Sequence, residues 1–108
     1  MTRADPTAPQ PATTTGRQAV LAAAAAAITG AREDTYGDPE QSFTTIAQFW
    51  TAYLDHFIEP HDVAAMMALL KLARIKHSGG RHRDSWVDLA GYSACGAEVA
   101  MDRQDEAI

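Results

Sequence analysis

Two carboxylates in the stretch Arg83-Asp84-Ser85-Trp86-Val87-Asp88-Leu89-Ala90-Gly91-Tyr92 are the first candidates for chemistry. Read as a helix, the stretch places Asp84 and Asp88 four residues apart on one face. Their Cβ atoms then lie roughly 6 Å apart, and two like charges at that spacing cost a helix a few tenths of a kcal/mol. A cation between them removes that cost. Magnesium binds through one or two carboxylates together with waters and phosphate oxygens, so the pair reads as half of a Mg²⁺ site serving phosphate chemistry. The opposite face carries Trp86, Leu89, Ala90 and Ser93, with Ala97 further on, and Gly91, Ala94, Gly96 and Ala97 are expected to give small-residue packing along this helix.

Two further polar groups complete the candidate set. Lys71 and Arg74 lie three residues apart in an otherwise apolar stretch and suit phosphate binding, with Lys76 and His77 beyond them. An acidic loop carries Glu33, Asp34, Asp38 and Glu40, together with Arg32 and Tyr36. Asp38, Asp84 and Asp88 form the candidate metal set, with Asp84 and Asp88 the candidate catalytic acids. Arg32, Tyr36, Lys71, Arg74 and Trp86 are the candidate substrate contacts.

Each residue also has a plain structural role open to it. Asp84 fits the first turn of a helix, where acids meet free N–H groups and the positive end of the dipole. Asp88 can pair with Lys71 or Arg74 across two helices, fixing register more than adding stability. Lys71 and Arg74 can lay their stems along apolar surface, and Asp38 can cap a helix. No Walker-type loop, GxGxxG or HxxxH pair is present, and the one cysteine has no zinc-spaced partner.

The elements that position these groups are helices. Residues 1–16, with Pro6, Pro9 and Pro11, read as a disordered tail. Residues 17–103 read as a single helical domain, and 104–108 as a frayed end. The first helix is expected over 17–31, around six alanines at 22–27, with Leu21, Ala24, Ala25 and Ile28 buried. Asp38-Pro39 starts the second, expected to about His56, with the stripe Phe43, Ile46, Ala47, Trp50, Tyr53, Leu54 and Phe57. The third runs from Pro60 to His77, is apolar on most sides in its first half, and is expected to be central. Ser78-Gly79-Gly80 ends it and the fourth helix follows. No strand pattern appears, so the fold class is all-α, a four-helix bundle-like subunit.

At 108 residues the chain suits one domain, and its 46% hydrophobic fraction is rich in alanine. A thin core of that kind makes a homo-oligomer, with a dimer favoured, the natural remedy. The net charge of −5 argues against general nucleic-acid binding. A single cysteine suits a reducing compartment. No apolar run approaches the ~20 residues of a membrane span, and the alanine-rich segment at 20–28 does not read as a signal-peptide core.

A family resemblance rests on Arg32-Glu33-Asp34-Thr35-Tyr36-Gly37-Asp38-Pro39, Phe43, Asp62-Val63-Ala64-Ala65-Met66-Met67, Leu70-Lys71-Leu72-Ala73-Arg74, and the stretch from Arg83 to Tyr92. These residues resemble a group of small proteins of tailed bacteriophages, actinobacterial ones included. More distantly they resemble phage nucleotide-modification-associated proteins and the all-α, MazG-like nucleoside triphosphate pyrophosphatases. The resemblance implies a Mg²⁺-dependent pyrophosphohydrolase or other nucleotide-processing protein acting in the cytoplasm of an infected host. In the pyrophosphatases a Glu-Glu-x-x-Glu helix precedes a Glu-x-x-Asp helix. Asp84 and Asp88 stand for the second element at a spacing of four rather than three, and the third helix offers Lys71 and Arg74 in place of the first. Two alternatives stand beside hydrolysis. One is a non-catalytic protein that sequesters a nucleotide or another phosphorylated small molecule. The other is a helical interaction module in which these polar groups serve as interhelical ion pairs.

Overall fold

A computed structural model describes residues 15–29 and 38–107, with side chains described as far as Met101. It contains four helices and, among the described residues, no strand. We label them α1 (Gly16–Ala27), α2 (Pro39–Leu54), α3 (Pro60–His77) and α4 (Arg83–Ala107). The fold is all-α, as expected.

The boundaries follow from local chemistry. Thr15 caps α1 through a reciprocal box: its hydroxyl accepts from the Gln18 N–H at 3.2 Å, and its own N–H donates to Gln18 Oε1 at 3.0 Å. The helix ends at Ala27, four residues before the expected end, with the Thr29 hydroxyl donating back to the Ala25 carbonyl. Asp38 caps α2, its Oδ1 accepting from the Gln41 N–H at 2.8 Å, and Pro39 fills the first helical position. That helix stops at Leu54, before the expected His56, with Asp55 left-handed at φ 52°. The hydroxyl of Thr51 then receives the Ile58 N–H at 2.8 Å and tethers the α2–α3 connection to α2.

The end of α3 is a Schellman motif. Gly79, at φ +67°, donates its N–H to the Lys76 carbonyl, and Gly80, at φ +82°, donates to the Ile75 carbonyl at 2.8 Å. Two glycines are needed because both backbones are left-handed. The turn is locked onto α4 by Trp86, whose indole Nε1–H donates to the Gly80 carbonyl at 2.9 Å.

The hub of the fold is α4, which packs against each of the other three helices. The central place expected of α3 falls to α4 instead. Met66, Leu69, Leu70 and Leu72 leave one side of α3 exposed to solvent. The buried row of α4 is Val87, Gly91, Cys95 and Val99, one residue every helical turn, with Ser85 at its start. Of the small residues expected to pack, Gly91 is buried and Gly96 half-buried, whereas Ala94 and Ala97 are exposed; on the opposite face Trp86 and Ser93 are exposed, and Leu89 and Ala90 are half-buried. The physical reason is close approach. Gly96 lies so near α3 that a Cβ there would come within 2.9 Å of the Ala64 Cβ, and a Cβ on Gly91 would come within 3.1 Å of Ile28 Cγ2. Small residues, not large apolar ones, therefore mark the packed side of α4.

The core joins Phe43 and Ala47 of α2, Val63 and Ala64 of α3, and Cys95 and Val99 of α4, flanked by Ile28, Ile46, Trp50, Ile58, Met67 and Tyr92. On α1, Ala24 is buried and Ile28 half-buried, whereas Leu21 and Ala25 are exposed. A run of alanines carries almost no moment, so one leucine does not decide its orientation. On α2 the stripe holds through Phe43, Ile46, Ala47 and Trp50, but Tyr53, Leu54 and Phe57 are exposed, with Tyr53 at 88%.

Candidate functional site

A cleft of about 330 Å³ opens where α1, α2, α3 and α4 meet. Ile28 and Pro39 stand at its edge, Phe43, Ile46, Met67 and Val87 form apolar walls, and Gly91, Tyr92 and Cys95 come from α4. Its polar lining residues are Ser42, Lys71, Asp88 and Tyr92. Phe43 and Tyr92 face one another with ring centroids 6.4 Å apart and planes tilted by 31°.

Lys71 and Asp88 are bonded to each other, Nζ to Oδ2, at 2.9 Å. The lysine side chain is only 13% exposed and the aspartate 35%. Lys71 reaches the cleft because Met67 and Lys71, one turn apart on α3, share its inner side. Asp88 follows the buried Val87 on α4. The ion pair anticipated as one reading of Asp88 is therefore present, and it lines a cleft. A partly desolvated pair of this kind holds two helices in register, and each charge depends on the other for its solvation.

The other candidates are placed elsewhere. Asp84 is exposed in the first turn of α4 and does not line the cleft. Asp38 is exposed and engaged as the cap of α2, though its neighbour Pro39 lines the cleft. Arg74 is exposed and outside the lining. Trp86 is committed to the Gly80 carbonyl rather than to the cleft. Arg32 and Tyr36, with Glu33 and Asp34, lie outside the described residues.

The donor set for magnesium is thus not assembled within the described residues. Asp38, Asp84 and Asp88 do not gather as a trio at ligand distance, and the Asp88 oxygen carries the Lys71 ammonium. Among the described residues the trio that does gather is Glu59, His61 and Asp62, with one donor atom of each within 4.8 Å of the others. It sits at the start of α3, where Asp62 Oδ2 accepts the Glu59 N–H at 2.9 Å and His61 Nε2 lies 3.4 Å from Glu59 Oε2. Acids at that position meet the positive end of a helix, which accounts for them without a metal. Ligand spacing alone does not single out Glu59 and His61; the signal is the Glu-Pro-His-Asp string itself.

A family model described as a domain of unknown function, DUF6378, matches residues 19–100, from α1 through most of α4. The chain belongs to this family. DUF6378 in this chain therefore includes every described wall of the cleft. The Gene 55 protein of Mycobacterium phage D29 is 42% identical over 78 residues, covering 72% of this chain and 51% of its own length. The Gene 55 protein of Mycobacterium phage L5 is 43% identical over 75 residues, covering 68% and 47%. The chain thus spans about half the length of these curated relatives. No solved structure matches it significantly. The phage kinship expected from the motifs holds; none of these matches carries an activity. Among the described residues no helix is long and apolar enough to cross a membrane.

Proposed function

We propose that this DUF6378 domain binds a small phosphorylated molecule of nucleotide type in the α1–α4 cleft, without a metal. The observation that supports this reading is the Lys71–Asp88 pair set among Phe43, Tyr92 and Met67 in a cleft of about 330 Å³. That volume suits a small ligand, and such sites combine apolar walls with few polar groups. A planar base fits between aromatic and thioether side chains. Lys71 supplies the cation for a phosphate, and Asp88 accepts from a ribose hydroxyl or a base N–H. The start of α2, where Pro39 and Ser42 reach the cleft, adds the positive end of a helix dipole. Sequestration of a nucleotide by a phage protein is the role such a site serves.

The test is calorimetric titration of the chain with ribo- and deoxyribonucleotides in EDTA. Binding that is lost in Lys71→Met and kept in Arg74→Met supports the reading. No binding across the panel ends it.

Pyrophosphohydrolysis is a second reading, favoured by one observation: Asp88, a carboxylate of the phage motif, does face the cleft. It requires further acids from outside the described cleft. Release of pyrophosphate from a nucleoside triphosphate with millimolar Mg²⁺, abolished in Asp88→Ala, would establish it in place of simple binding.

A further inference from the structure

Eight consecutive residues of α3, Val63 to Leu70, are apolar without interruption. A helix that is apolar all round belongs in an interior. Yet only one side of α3 is covered: Val63 and Ala64 are buried, while Ala65, Met66, Leu69, Leu70, Leu72 and Ala73 are exposed, Leu69 at 63%. The uncovered side has a marked charge order. Its N-terminal end carries Asp62 and its C-terminal end carries Lys76.

We infer that this face of α3 pairs antiparallel with the same face of a second copy of the chain, about a two-fold axis at Leu69. The reason is self-complementarity. Asp62 and Lys76 lie seven residues before and after Leu69. Residues spaced by seven drift only about 20° around a helix, so Asp62, Leu69 and Lys76 share one line. A two-fold at Leu69 sets Asp62 against the partner's Lys76, Ala65 against the partner's Ala73, and Met66 against the partner's Leu72. Asp62 then meets a base, Ala65 a small residue and Met66 a large apolar one, and Leu69 meets itself. A two-fold interface is self-complementary in this manner by necessity. Parallel pairing would instead place acid on acid and base on base. Asp62 offers its Oδ1, which lies 3.7 Å from His61 Nε2, while its Oδ2 holds the Glu59 N–H. The exposed aromatic patch of Phe49, Tyr53 and Phe57 has no comparable order of charge.

The pairing does not depend on the ligand reading, because none of these residues lines the cleft. Sedimentation equilibrium of the full chain tests it. The expected mass is twice the 11.6 kDa of the single chain. Leu69→Glu, at a site exposed in the single copy, gives a monomer with unchanged helical circular dichroism. Lys76→Glu weakens the dimer about tenfold, because the reversal acts at two symmetric sites. With copper–phenanthroline and air as the oxidant, Leu69→Cys forms a disulfide-linked dimer, whereas Tyr53→Cys does not. A monomeric chain at high micromolar concentration overturns the inference. So does a dimer that survives Leu69→Glu or is dissolved by Tyr53→Glu, which would move the interface to the aromatic patch.

Discussion

Lys71 and Asp88 form a 2.9 Å ion pair that joins α3 to α4 on the wall of the cleft. Removing one member leaves the other partly buried and uncompensated, which costs more than removing both. Lys71→Met is expected to lower stability by about 1–3 kcal/mol, between exposed and buried pairs. The double variant Lys71→Met, Asp88→Asn should recover part of that loss. Urea denaturation of the four proteins in a double-mutant cycle checks it, and purely additive losses would show that the pair is not coupled.

Gly96 and Ala64 set the distance between α3 and α4. Alanine at position 96 gains about 1 kcal/mol of helix propensity. It also places its Cβ 2.9 Å from that of Ala64, with no flexible side chain to yield. Overpacking costs about 1–3 kcal/mol, so the variant is expected to be less stable on balance. Gly16→Ala is the control, because nothing lies within 4 Å of its Cβ position. Thermal unfolding should show a lower midpoint for Gly96→Ala and no loss for Gly16→Ala.

The contrast between α2 and α4 shows what the sequence makes legible. Asp38-Pro39, Pro60 and Ser78-Gly79-Gly80 are local chemical signals, and they place the starts of α2 and α3 and the end of α3 where the structure has them. The packed side of α4 is a tertiary matter. Gly91 and Gly96 are legible as small packing residues, whereas Val87, Cys95 and Val99 do not stand out in the apolar pattern. Trp86, which adds most, stays 43% exposed because its N–H is needed by the turn. In the candidate site, Asp88 and its partner Lys71 are both legible in the sequence. The walls at Met67, Gly91 and Cys95 are not legible as a cleft, because only the crossing of four helices creates it.

Trp86 should be neutral for the ligand and important for the turn. Trp86→Phe removes the donor to the Gly80 carbonyl and is expected to cost about 1 kcal/mol. Hydrogen exchange at the amides of 79–82 should quicken while nucleotide binding is unchanged. A loss of binding would place the indole in the site instead.

Gly79 tests the cap of α3. Its φ of +67° is left-handed, and a Cβ there costs about 1–2 kcal/mol. Gly79→Ala is expected to lower the denaturation midpoint accordingly, and Gly79→Asn by less, since asparagine tolerates this region. Equal losses in the two variants would mean that the conformation is not what matters.

Cys95 is the one thiol of the chain, 6% exposed, and it lines the cleft. It makes the protein its own reporter. An alkylating reagent reaches the sulfur only when α4 and its neighbours part, so the labelling rate measures how often the cleft breathes. Anything that fills the cleft shuts that door. The slowing of a single chemical modification then reads out occupancy, whatever the occupant is.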